Sequence, residues 1–99
     1  MKKDYLMEGL TLLRNSLLVP TERELCFLLL GYPLFLSRTE ATLLRYLITN
    51  KTISTKHLTG RSANTLAAKI CGINKKAHRI SGRRLILFSD GAYRFNPYL

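Results

Sequence analysis

The chain predicts an α+β fold on three observations. A Ser-x-x-Glu start signal, Ser37 with Glu40, opens an amphipathic run. A leucine and isoleucine stripe at helical spacing extends from Leu66 to Ala77. An Asp-Gly pair, Asp90 and Gly91, separates two short segments rich in strand-forming residues near the C-terminus. Ninety-nine residues with 46% hydrophobic content suit one small domain, taken as residues 1–99.

The elements follow in order. Leu6, Leu10, Leu13 and Leu17 recur at steps of four, three and four, which predicts an amphipathic helix within residues 1–19 that ends before Pro20. Its leucines either complete the domain's own core or serve as a linker or homodimer contact. The apolar runs Leu25–Leu30 and Leu34–Leu36, separated by the turn chemistry of Gly31 and Pro33, predict a short two-stranded hairpin. Buried helix is the other reading of so short a run. In the capping box, the Ser37 hydroxyl and the Glu40 carboxylate each satisfy a free backbone amide, so a helix begins near Arg38. It buries Ala41, Leu44, Leu47 and Ile48, and Asn50 suits the left-handed conformation that closes it. Ser54 as cap, Leu58 as buried residue and Gly60 as terminator predict a second, shorter helix. Leu66, Ile70, Ile73 and Ala77 then define the buried stripe of a long helix over 62–80, stopped by Gly82. Arg84–Phe88 and Ala92–Asn96 flank the Asp-Gly turn as a final hairpin, and Pro97 ends its second strand.

The charge lies at one end. From Ile53 to Leu99 nine basic residues face a single acid, Asp90, so this half carries +8 of the chain's +10. A basic excess confined to one region builds a local positive potential that attracts phosphates and releases their counterions. Double-stranded DNA is therefore the leading partner, against the bland alternative of a solvated basic surface. Catalysis has little support: His57 and His78 lie on separate segments and the six acids form no paired arrangement. Cys26 and Cys71 have no metal-like spacing and read as free thiols of a reducing, cytoplasmic compartment. No zinc site or phosphate-binding glycine loop is present, so no cofactor is expected. Acids interrupt the apolar part of the Met-Lys-Lys start, which therefore does not read as an export signal, and the most apolar stretch is too short to span a bilayer, so no membrane partner is expected.

From Leu34 onward the expected order is strand, capped helix, short helix, long basic helix and basic hairpin. That order is the winged helix-turn-helix, a three-helix core with a C-terminal β-hairpin wing, here over residues 34–96. The segment "LFLSRTEATLLRYL" resembles the strand and first helix of the effector domain of OmpR/PhoB-type response regulators, with Leu36, Ser37 and Glu40 matching its Leu-(Ser/Thr)-x-x-Glu signature. "NTLAAKICGINKKA" resembles that family's recognition helix, and "GAYRF" resembles the Gly-Tyr-Arg-Phe end of its wing. The resemblance covers Leu34 to Phe95. It implies a regulator of transcription, of the kind found in two-component systems, that lays helix 62–80 in a major groove and wing 84–96 on the adjacent backbone. "DYLMEGLTLLRNSLL" loosely resembles the last helix of a receiver domain, although these residues hold no phosphoacceptor region. The chain departs from the pattern at Asn64, Cys71, Gly72 and Asn74, where the family commonly has arginine, and at Ser89, where its wing tip has a basic residue.

Asn64, Thr65 and Ala68 are the candidates for base edges, with helix capping by Ser62 or Asn64 the structural alternative. Lys69, Lys75, Lys76 and Arg79 suit phosphate contact better than bidentate reading of guanine. Gly72 in mid-helix costs about 1 kcal/mol relative to alanine, which points to close approach, by DNA or more often by the protein's own packing. Arg83, Arg84, Ser89 and Arg94 belong to the hairpin. Only one of Arg83 and Arg84 can share a face with the core, and Arg94 points outward if Tyr93 and Phe95 are buried. The rival class is a winged-helix interaction module without DNA readout that docks RNA polymerase or another regulator through the exposed helix face, a reading the missing arginines favour.

Overall fold

The fold is set by which apolar residues can reach one another, and among the described residues these come from every element. The computed structural model describes residues 17–98. Three strands come first: β1 (Leu18–Pro20), β2 (Cys26–Leu29) and β3 (Tyr32–Phe35), antiparallel in the order β1-β2-β3. The hairpin from β2 to β3 turns on Leu30 and Gly31, both at positive φ, as the right-handed twist of a two-residue loop requires. Pro33 lies within β3, paired with Leu28, and Pro20 within β1. Both are edge strands, where a missing N–H is tolerated. Most of the helix expected within residues 1–19 lies outside the described residues. At its end the expectation is corrected, because Leu18, Val19 and Pro20 pair with Leu29, Leu28 and Phe27 as a third strand.

Helix α1 (Arg38–Asn50) carries the expected capping box: the Ser37 amide donates to Glu40 Oε1 at 2.9 Å and the Glu40 amide donates to Ser37 Oγ at 3.3 Å. It closes one residue later than expected, with Lys51 rather than Asn50 in the left-handed conformation. The Arg45 guanidinium lies 5.4 Å from the Phe27 ring centroid and donates to the Glu24 carbonyl, fastening α1 to the first sheet.

The short helix expected after Ser54 does not form. Thr52, Ile53 and Ser54 are instead strand β4 (Thr52–Ser54), paired with Arg94, Tyr93 and Ala92 of the final hairpin. Thr55 continues the attachment, its amide and hydroxyl both donating to the Gly91 carbonyl at 2.9 and 2.8 Å. Backbone pairing outweighs the local capping signal here, and Gly60 opens the next helix rather than closing the previous one. Helix α2 (Gly60–Ser81) has 22 residues and stops at Gly82, which takes the left-handed conformation as expected. Strands β5 (Ile86–Ser89) and β6 (Ala92–Phe95) turn on Asp90 and Gly91, and β4 joins them in the order β4-β6-β5.

The architecture of the described residues is therefore α+β with two helices and two three-stranded antiparallel sheets. It is not a winged helix-turn-helix: among the described residues there is no third helix, and the terminal hairpin is not a free wing but two strands of a sheet completed by β4. One core joins all the layers, built from Phe27, Leu29 and Leu34 of the first sheet, Ala41, Leu44 and Leu47 of α1, Ile70, Ile73 and Ala77 of α2, and Ile53, Leu85 and Ile86 of the C-terminal half. The expected stripe of α2 is present, with Leu66 only partly buried at its N-terminal end. No helix among the described residues is long and apolar enough to cross a membrane.

Asn74 connects α2 to β5 in both directions: its Nδ2 donates to the Ile86 carbonyl at 2.9 Å and its Oδ1 accepts from the Ile86 amide at 2.8 Å. Truncation leaves both backbone groups without that partner. Asn74→Ala is expected to lower stability by about 1–3 kcal/mol, read as a shift in urea midpoint with an unchanged slope.

Candidate nucleic-acid interface

Helix α2 is about 33 Å long at 1.5 Å per residue, and its sequence contains no acid. With Ile70, Ile73 and Ala77 buried, the 100° step per residue sends Arg61, Ala68, Lys75 and Arg79 to the opposite side, with Asn64 and Cys71 beside them. All six are exposed. Arg61 and Arg79 are separated by eighteen residues, five whole turns, and so share one direction. Arg61 is absent from the sequence-based candidates because the helix was expected to begin at Ser62. The five-turn spacing is the signal that marks it.

The helix N-cap is Thr59, with no side-chain capping bond. Asn64 and Ser62 are therefore not the cap, and the Asn64 amide is left exposed for other partners. Thr65 is exposed, with its hydroxyl donating to the Arg61 carbonyl at 2.9 Å. Lys69 is half-buried and turned toward α1, away from the line of Lys75 and Arg79.

Lys76 and Gly72 have an inward task. Glu40 is 5% exposed, and Lys76 Nζ lies 2.5 Å from its Oε1. This is the only ion pair among the described residues. A Cβ on Gly72 would overlap Glu40 Oε2, so the protein's own packing accounts for that glycine. Burial pushes the Glu40 carboxyl up, but the Lys76 ammonium and the Ser37 amide and hydroxyl outweigh it and hold the group below its ordinary value.

The hairpin residues are only partly free. Arg83 Nη1 donates to the Tyr98 carbonyl at 2.7 Å, and Arg94 Nη2 donates to the Ser89 carbonyl at 3.3 Å. Arg94 shares a sheet face with Leu87 and Thr52, its registered partners, opposite the face of the partly buried Tyr93 and Phe95. Its outward direction is as expected, but it is half-buried against its own strand neighbours. The exposed Arg84 offers its side chain, and the Asn96 amide donates to its carbonyl at 2.9 Å. Ser89 is exposed at the turn, beside Phe88, whose ring lies 4.9 Å from that of Tyr93. Both thiols are unbridged, Cys26 buried and Cys71 exposed on the outward face of α2. No cluster of three or more candidate metal ligands occurs among the described residues.

The twelve sequence-based candidates thus fall into three places. Asn64, Ala68, Lys75 and Arg79 share the outward face of α2, Thr65, Lys69, Gly72 and Lys76 lie on its flank toward α1, and Arg83, Arg84, Ser89 and Arg94 lie on or just before the hairpin. Compared with known proteins, the chain matches no family model, no curated protein and no solved structure.

Two outcomes test the Glu40 arrangement. A carboxyl whose pKa is depressed on folding contributes stability that is full above the ordinary glutamate value and is lost as pH falls through the folded one. The stability gap between the native chain and Glu40→Gln is therefore expected to be widest near neutrality and to narrow in acid, measured by urea unfolding at a series of pH values. Gly72→Ala should destabilise by about 1–2 kcal/mol despite alanine's better helix propensity. In the background of Glu40→Ala, where the obstructing carboxylate is gone, the same change should stabilise.

Proposed function

We propose that this protein binds double-stranded DNA along the outward face of α2, as a cytoplasmic regulator of transcription. The observation that carries this reading is the line of Arg61, Lys75 and Arg79 on one side of a 22-residue helix without a single acid, with small side chains at Ala68 and Cys71 between them. Small residues let the helix approach a groove closely, while the cations at either end meet the phosphates that border it. The hairpin supplies Arg84 and the Ser89 turn as flanking contacts to backbone.

The chemistry favours affinity over base discrimination. Lys75 meets phosphate as a point charge, Arg61 and Arg79 stand at the two ends of the line where the bordering phosphates lie, and Asn64 is the outward amide proposed to meet a base edge, with Ala68 against a thymine methyl. Binding should therefore depend steeply on salt, with log K falling by about 0.9 for each phosphate neutralised and about four to six phosphates engaged.

Titration of a random duplex at several salt concentrations checks this. A flat or undetectable response would favour the other class, a protein-docking module for RNA polymerase or another regulator. Lys75→Ala with Arg79→Ala is expected to weaken binding on all sequences alike and to reduce the salt slope by about two. Lys76→Ala is expected to act differently, lowering folding stability by about 1–2 kcal/mol through the loss of a charge-assisted bond to Glu40, with little change in slope. Asn64→Ala should alter preference among duplexes rather than overall affinity.

A further inference from the structure

Where the short helix fails to form, the surface is left open. A groove of about 570 Å3 runs between α1 and the first half of α2, roofed by nothing among the described residues. Leu43 of α1, Leu66 of α2, Ile53 of β4 and Leu58 of the connecting segment supply its apolar lining. Tyr46, half-exposed, stands at the α1 rim, and Arg61 and Lys69, two helical turns apart, stand at the α2 rim. Among the described residues no carboxylate lines it.

We propose that this groove is a docking site for an acidic amphipathic peptide helix, one that sets two or three large apolar side chains against Leu43, Leu58 and Leu66 and its carboxylates against Arg61 and Lys69. An apolar floor between two helical rims can take the i, i+3, i+4 face of a short helix. The charge at the rim is of one sign and selects an acidic partner. A nucleic acid satisfies the rim but has no aliphatic side chains to bury against the floor, which makes a peptide the better occupant. The inference does not rest on DNA binding. Tyr46 and Leu58 are off the outward face of α2, and a chain that binds no duplex can still take the peptide.

The test uses two fluorescein-labelled twelve-residue peptides with leucine at identical helix-face positions, one with glutamate and aspartate elsewhere and one with lysine. Anisotropy titrations with the full chain should give saturable binding of the acidic peptide at about 10–100 μM and at least tenfold weaker binding of the lysine peptide. Tyr46→Glu at an exposed position and Lys69→Glu at a half-buried one, each used where its thermal melt shows the fold retained, should each weaken the acidic peptide about tenfold. Tyr46→Glu should weaken a duplex far less than it weakens the peptide, through its single added charge alone. The proposal is overturned by equal binding of both peptides, by no acidic binding up to millimolar protein, or by acidic binding insensitive to both variants. It is overturned equally if Tyr46→Glu weakens a duplex and spares the peptide, since the groove would then belong to a nucleic-acid surface.

Discussion

The placement of the long helix depends on one buried carboxylate. Glu40 closes the capping box of α1 through the Ser37 amide, receives the Lys76 ammonium from α2, and occupies the space that a side chain at position 72 would need. An ionised group so far from water is tolerated only when its lone pairs are met, and here the partners come from two separate elements. The same oxygen that starts one helix thereby fixes the rotation of the other. Rotating α2 by one residue, 100°, would carry Lys76 away from Glu40 and bring side chains into the gap that Gly72 leaves.

Once that rotation is fixed, the positions of the other cations follow. Lys75 is one residue from Lys76 and must project about 100° away from it, into solvent. Arg79 lies one turn beyond Lys75 and Arg61 five turns before Arg79, so all three emerge on the side opposite Ile70, Ile73 and Ala77. Asn74 holds the other flank, because its two bonds to Ile86 tie the helix to β5. The positive face is thus a consequence of polar contacts at positions 40, 72, 74 and 76, acting together with the apolar stripe.

Local signals in the sequence were legible where they acted alone. The Ser37–Glu40 box, the stripe from Leu66 to Ala77, the Gly82 stop and the Asp90–Gly91 turn all stand as read, because each is enforced within a few residues. The errors share one cause, which is pairing with a distant strand. Ser54 looks like a helix cap until Ala92 is brought beside it, and Leu18 and Val19 continue a leucine-rich helical pattern until β2 offers backbone partners. Those two pairings are what separate this fold from the expected winged helix-turn-helix. At the candidate interface, the 100° step from the buried stripe is enough to put Asn64, Ala68, Lys75 and Arg79 on the outward side. It could not find the inward use of Lys76, since a lysine on the edge of a helical face shows its partner only when another element packs there.

Net charge is accordingly a poor guide to how many phosphates this surface can hold. Of the nine basic residues after Ile53, Lys76 is committed to Glu40, Arg83 to the Tyr98 carbonyl and Arg94 to the Ser89 carbonyl. A phosphate can recruit Lys76 only by leaving a buried carboxylate without its counter-charge, which costs about 1–2 kcal/mol against the roughly 1 kcal/mol or less of an exposed ion pair. That exchange is unfavourable, so Lys76 stays with the fold while Arg61, Lys75 and Arg79 remain available to a polyanion. The division between structural and available charge is therefore made by packing: the cation facing the buried Glu40 holds two helices together, and its neighbours, one residue or one turn away, face solvent.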